Sequence, residues 1–191
     1  MSHAVFGYGS LVHPEGRKAT LRASPAELAG WTRQWLHCID TFKGRTCVLT
    51  VARQQGAKLL GVVMPVNPNE LADFDRRETA YKREQVKVRL SASGVEQPAW
   101  IYVGDAAHRQ PATRECPIWL SYVDCVLAGY FELGGAAAVE GFITSTTGWD
   151  GPLRDDRGAP LYSRAVRLTD EQKQAIDEAL GRHGILGRAF S

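Results

Sequence analysis

Two short stretches hold residue types and spacings that could do chemistry. The first is Phe6-Gly7-Tyr8-Gly9-Ser10-Leu11. Residues 4–8 read as a strand, and glycine on both sides of Tyr8 lets the backbone turn sharply and approach a ligand. A strand ending this way exposes successive N–H groups, which can form a nest for a carboxylate or phosphate. The motif is not a dinucleotide fingerprint, because the third glycine is absent and no helical pattern follows directly. It is not a phosphate loop either, because the Gly-Lys-Ser/Thr ending is missing. The plain alternative is a strand-ending turn without a ligand. The second stretch ends at Glu78. Asn67-Pro68 reads as a helix start, with Asn as cap and Pro in the first turn, and the helix reads to about Arg77. Leu71 and Phe74 share one face, and Glu78 lies on the same stripe if the helix reaches it. A carboxylate aimed at a core is expensive unless it is hydrogen-bonded or functional. Partial burial raises its pKa toward the range where a general acid or base works best. The plain alternative is a helix that frays before Glu78, leaving it paired with a nearby arginine at the surface.

Other polar features read as structural. Arg76-Arg77 reads as a solvated face rather than a phosphate clamp. Trp119, Tyr122, Val126 and Tyr130 recur at helical spacing and read as core rather than a base-stacking platform. Asp155-Asp156 reads as a polar turn rather than a cation site. Cys38, Cys47, Cys116 and Cys125 contain no C-x-x-C pair, which removes zinc-ribbon and thioredoxin readings. Free, mostly buried thiols in a reducing cytoplasm are expected. The five histidines have no ligand spacing, so a metal site is possible but unsupported.

The elements that must position these residues follow from pattern. Ala26 to His37 reads as a strand. Thr46–Ala52 and Lys58–Val66 read as a hairpin turning at Gln55-Gly56. Lys82–Leu90 and Ala99–Val103 read as a second hairpin around Ser93-Gly94. Residues 104–115 read as a polar loop. Pro117–Tyr130 reads as a helix, separated by Gly134-Gly135 from a second, Ala-rich one that reaches about Thr144. Residues 145–162 read as loop. Thr169–Arg182 is the clearest helix, with a Thr169/Gln172 capping box and Gly184 as its stop. The implied class is α+β: a small antiparallel or mixed barrel-like sheet with flanking helices, and extra helices at the C-terminal end. One domain over 1–191 is expected, with a core at 4–103 and a helical part at 104–191. With 23 Lys+Arg against 21 Asp+Glu the net charge is +2, which speaks against an electrostatically driven nucleic-acid binder. No apolar run approaches a membrane span, and the Met1–Gly7 stretch does not read as a secretory leader. Composition does not decide the oligomeric state.

Taken together, Tyr8-Gly9-Ser10-Leu11 at a strand end and Glu78 at a helix end some 70 residues on resemble the gamma-glutamylcyclotransferase superfamily. The order Gly30-Trp31-x-Arg33-x-Trp35, Val48-Leu49-Thr50, Gly61-Val62-Val63 and Arg77-Glu78-x-x-Tyr81 is similar to its ChaC-type branch. Ala80 stands where that branch usually has glycine. The resemblance covers about residues 4–103 and implies a small barrel-like fold with flanking helices. It also implies an enzyme that releases 5-oxoproline from a small γ-glutamyl compound without a cofactor. In that chemistry the substrate's α-amine attacks its own γ-carbonyl. Carried over by position, Glu78 is the proton shuttle. The amides of Gly9, Ser10 and Leu11 form the nest, Tyr8 shapes it, and Tyr81 lies near the substrate. Residues 104–191 match no motif of the family and are expected to shape the leaving-group side. The alternative is a non-catalytic module that binds a small carboxylate or a protein on the same fold.

Overall fold

The computed structural model describes residues 3–17 and 20–190. Met1 and Ser2, part of the stretch read above for a leader, lie outside the described residues. Five strands fill the first half: β1 (His3–Gly7), β2 (Ser24–Thr41), β3 (Gly44–Val66), β4 (Tyr81–Leu90) and β5 (Glu96–Gly104). Neighbours run β3-β1-β5-β4-β2, and β2 pairs back onto β3, which closes a five-stranded barrel. The β1–β5 contact is parallel and the other barrel pairings are antiparallel. The α+β, mixed barrel expected from the sequence is what forms.

One expected hairpin is not there. β3 runs unbroken through Gln55-Gly56, and its antiparallel partner is β2, joined through Phe42-Lys43. The register jumps from Ala29–Lys58 to Trp31–Arg53, so residues 54–57 lie opposite Gly30 alone. Gly30 and Gly56 have φ of 78° and 80°, and nothing lies within 4 Å of a Cβ built on either. These glycines supply the left-handed backbone of a bulge, which bends a strand rather than reversing it. A bulge and a turn carry the same local signal; the partner strand upstream decides between them. On one side of the bulge β2 and β3 complete the barrel. On the other, β7 (Thr146–Thr147) adds to β2 in parallel.

α1 (Pro68–Arg77) bridges β3 and β4 and carries the full capping box, Asn67 with Glu70. α2 (Leu120–Thr144) is broken at Gly134 and Gly135, where φ/ψ are −170°/30° and 62°/−155°, as the Gly-Gly separator predicts. Its lead-in is extended rather than helical. β6 (Ile118–Trp119) pairs in parallel with β8 (Leu153–Arg154), and β8 with β9 (Ala189–Phe190). α3 (Asp170–Arg182) has the Thr169/Gln172 capping box, and Gly184 follows with φ 64°. α2 is long and apolar enough to cross a membrane by length and composition. Leu120 to Tyr130 are all buried against the protein's own core, however, and that accounts for its apolarity.

Phe6, Trp35, Leu49, Tyr130 and Phe142 belong to one buried cluster shared by barrel and helices. Arg33 sits inside it, 1% exposed. Its guanidinium stacks 4.3 Å from the Phe142 ring and donates to neutral oxygens: Thr146 Oγ1 (3.1 Å), Leu60 O (3.0 Å), Ser145 Oγ (2.7 Å) and the Tyr130 hydroxyl. A buried cation is tolerable when its fork is filled in this way.

The cysteines depart from expectation. Cys38 and Cys116 form a disulfide, with Cα atoms 6.3 Å apart, while Cys47 and Cys125 are free and buried. The segment before β6 is laid along β3, with Pro117 O accepting from Cys47 N–H (2.9 Å) and the Thr46 hydroxyl (3.1 Å). That carries Cys116 to β2 across 78 residues of sequence, a contact no spacing rule encodes. Disulfides are rare in reducing compartments, so in a cytoplasm the pair would stand as adjacent thiols.

Candidate active site

The β1 ladder ends at Gly7, paired with Val62. Residues 8–11 leave it, and Ser10–Val12 form one 3-10 turn closed by Val12 N–H to Gly9 O (3.0 Å) and His13 N–H to Ser10 O (3.2 Å). The turn is fixed from the core. The Tyr8 hydroxyl donates to Tyr102 O at 2.7 Å, and the Tyr130 hydroxyl, which Arg33 contacts, has its one proton between Leu60 O (2.7 Å) and Tyr8 O (3.0 Å).

Glu78 is the residue after the last turn of α1. Its N–H still bonds Phe74 O (2.8 Å), so its side chain keeps to the stripe of Leu71 and Phe74, both buried. Each alternative for Glu78 is half right: the helix stops at Arg77, and the carboxylate does meet an arginine, yet it remains inside. Its side chain is 17% exposed, with Arg77 Nε 2.9 Å from Oε1. Burial pushes its carboxyl above the ordinary range, and Arg77 and Arg164 oppose that rise. Arg77 is therefore not part of a solvated face. Tyr81 N–H bonds Glu78 O (2.9 Å), and this tight return puts Tyr81 beside Glu78. The Tyr81 hydroxyl donates to Leu49 O at 2.8 Å.

Two cavities meet at Glu78. The inner one, about 40 Å³, is bordered by all six residues singled out from the sequence: Tyr8, Gly9, Ser10, Leu11, Glu78 and Tyr81. The outer one, about 200 Å³, is walled by Phe42, Arg77, Trp119, Tyr162 and Arg164 among others. Ser10, Glu78, Tyr81 and Tyr122 border both. Burial holds the Tyr8, Tyr81 and Tyr122 hydroxyls well above their usual pKa, with Glu78 adding to the rise in each. They are thus protonated at neutral pH.

Sequence reasoning missed the outer wall. Tyr122 and Trp119 look like core by spacing; they are core, and they also face the cavity. Tyr162 ends the 145–162 stretch, which has no periodicity, and Arg164 lies just beyond it; no signal marks either. Their loop is held by Asp156, which is 6% exposed and is an organiser rather than a surface turn residue. Its carboxylate accepts from Ser121 N–H (2.8 Å), the Ser121 hydroxyl (2.5 Å) and Leu161 N–H (2.8 Å). The Ser121 hydroxyl in turn accepts from Tyr162 N–H (3.2 Å). Tyr162 then packs edge-on against Tyr122, ring centres 4.9 Å apart, and shares a hydrogen bond with the Ser10 hydroxyl.

The fold and site together are a closed five-stranded barrel with a glycine-flanked turn and a helix-end glutamate on one cavity. The family model described as "Gamma-glutamyl cyclotransferase, AIG2-like" matches residues 5–120, and the chain belongs to that family. The match establishes the superfamily and does not single out the ChaC-type branch. Among solved structures, an uncharacterized human protein aligns with a TM-score of 0.62 at 18% identity, over 92% of this chain and 98% of that one. A gamma-glutamyl cyclotransferase aligns at 0.61 and 17%, over 93% and 99%. YkqA from Bacillus subtilis aligns at 0.52 and 17%, over 69% and 49%. At these identities the likeness is one of fold. A search of the curated proteins finds no match.

Proposed function

We propose that the protein is an enzyme that cyclises the γ-glutamyl half of a small substrate to 5-oxoproline and expels an amine or amino acid. The observation that carries this is the position of Glu78, a largely buried carboxyl with a raised pKa that borders both cavities. The γ-glutamyl half occupies the inner cavity, with its α-carboxylate on the amides of Gly9, Ser10 and Leu11. Tyr8, its hydroxyl committed to Tyr102 O, sets the shape of that end. The Tyr81 hydroxyl has given its proton to Leu49 O, so it faces the substrate as an acceptor for the α-ammonium. Glu78 takes a proton from that ammonium. The freed amine attacks the γ-carbonyl, and the C–N bond to the leaving group breaks as Glu78 returns the proton to the departing nitrogen; the ring nitrogen then sheds its second proton through Glu78 to the expelled amine, which leaves as an ammonium. The nucleophile is already tethered, so restraint in a narrow cavity supplies a large share of the rate. No step needs a metal or organic cofactor. The reading treats 1–191 as one domain, with the leaving group in the outer cavity beside the 155–164 loop.

The test is direct: a panel of γ-glutamyl compounds is assayed for 5-oxoproline by mass spectrometry. Release from at least one member, lost in Glu78→Gln, supports the reading. A module that only binds would release none from any member.

A further inference from the structure

We infer that Arg164 binds a carboxylate on the leaving group, so that the favoured substrates are γ-glutamyl amino acids whose expelled residue has a large apolar or aromatic side chain. This rests on the cyclotransferase reading above and adds the substrate class. Three charged side chains face the outer cavity: Arg77, Glu78 and Arg164. Arg77 is ion-paired with Glu78. Arg164 acts on the same Glu78 carboxylate from the loop side. With Glu78 ionised, two cations against one anion leave the cavity with an excess charge of +1. Two guanidiniums that share one carboxylate at a cavity wall suit a second anion that the ligand brings. The γ-glutamyl half does not supply that anion. Its own carboxylate lies on the far side of Glu78, in the inner cavity, and is balanced by its ammonium. The anion therefore belongs to the expelled half.

The remaining wall fixes what accompanies that carboxylate. Trp119, Leu161 and Tyr162 give the outer cavity an apolar surface. Phe42 borders the same cavity from the tip of the β2–β3 hairpin and is 85% exposed. That tip is tied to the Arg164 loop by Lys43 Nζ donating to Pro160 O at 3.0 Å. An exposed ring fixed at a cavity mouth gains burial when a ligand lies against it. One cation and several aromatic faces match the two ends of an apolar α-amino acid. A γ-glutamyl amine, lacking the carboxylate, would bury this excess charge uncompensated.

The experiment compares γ-glutamylphenylalanine, γ-glutamylphenethylamine and γ-glutamylalanine with the wild type, Arg164→Gln and Arg164→Lys. Phenethylamine is phenylalanine without its carboxylate, and alanine keeps the carboxylate without the ring. In the wild type, kcat/KM should favour phenylalanine over phenethylamine by about 50-fold, and over alanine by roughly tenfold. Arg164→Gln should lose nearly all of the first preference, read as the ratio of the two kcat/KM values within the variant because Arg164 also acts on Glu78, and Arg164→Lys should restore part of it. Equal losses on phenylalanine and phenethylamine would place Arg164 on the glutamyl half and overturn the inference. So would a wild type that takes phenethylamine as readily as phenylalanine, a comparison that does not depend on either variant folding. Absence of 5-oxoproline from all three and from the wider panel would overturn the cyclotransferase reading itself. That outcome is distinct, because the first two require an active enzyme.

Discussion

The inner and outer cavities share Glu78 but are made of different material. The inner one is lined by backbone at a strand end and by tyrosines whose hydroxyls are committed to main-chain oxygens, Tyr8 to Tyr102 and Tyr81 to Leu49. The outer one is lined by side chains from a hairpin tip, the start of α2 and a loop, and it holds two guanidiniums against one carboxylate. Their sources along the chain differ too. The family match spans 5–120 and includes every residue around the inner cavity except Tyr122, whereas Leu161–Arg164 fall outside it. A site built this way separates two tasks. In the proposed reaction, backbone amides recognise a moiety common to all substrates, and a peripheral loop distinguishes what is attached to it.

The junction is the first place to break this division. Glu78→Gln keeps size and hydrogen-bonding capacity but removes the proposed proton shuttle. Turnover of the true substrate should fall roughly 100-fold or more, about 2.7 kcal/mol of transition-state stabilisation, with affinity little changed. Glu84→Gln is the control. Glu84 lies on β4 beside Arg53 at 3.7 Å, away from both cavities, and its loss should leave the rate within about threefold. Retention of most activity in Glu78→Gln would mean that another group moves the proton.

Asp156→Ala tests the outer wall alone. It leaves two buried N–H groups and the Ser121 hydroxyl without their acceptor, which should cost about 2 kcal/mol and lower the melting temperature by roughly 4–8 °C. Inhibition by 5-oxoproline, which carries no leaving group, should persist while KM rises. A melting temperature within about 1 °C of wild type would show that the loop is held by something else.

Gly9→Ala tests the inner wall. A Cβ there would lie 3.3 Å from both Leu49 Cδ1 and the Tyr122 hydroxyl, two groups that border the inner cavity. Inhibition by 5-oxoproline should weaken about tenfold, about 1.4 kcal/mol, measured by its Ki. If Ki is unchanged, the glutamyl half does not sit against this turn.

The smallest effect is on stability against pH. Burial raises the Glu78 pKa in the folded protein, so the folded state holds this proton more tightly than the unfolded chain. Stability from this group is fully present below the ordinary carboxylate range and is lost as pH rises through the folded value. Melting of Glu78→Gln should therefore gain on wild type as pH increases over that window and run parallel above it. The acid limb of kcat/KM should lie above the ordinary glutamate range for the same reason. A melting difference that shrinks with rising pH would mean that the Arg77 pair outweighs burial.

Sequence alone determined what depends on neighbours in the chain. The Asn67-Pro68 start and the Phe74–Glu78 spacing place the carboxyl because α-helical geometry is local. The capping boxes at Asn67 and Thr169, the break at Gly134-Gly135 and the turn after β1 are legible for the same reason. Only the tertiary structure decided what depends on contacts between distant segments. Gln55-Gly56 bulges rather than turns because β2, upstream, supplies the partner strand. Cys38 meets Cys116 because the segment before β6 lies along β3. Asp156 is buried because it receives the N-terminal amide of α2. Arg164 reaches the cavity because that carboxylate folds its loop back over Tyr122. Residues 145–162 have no periodicity from which any of this follows, since the order of an irregular loop comes from the surface it is bonded to.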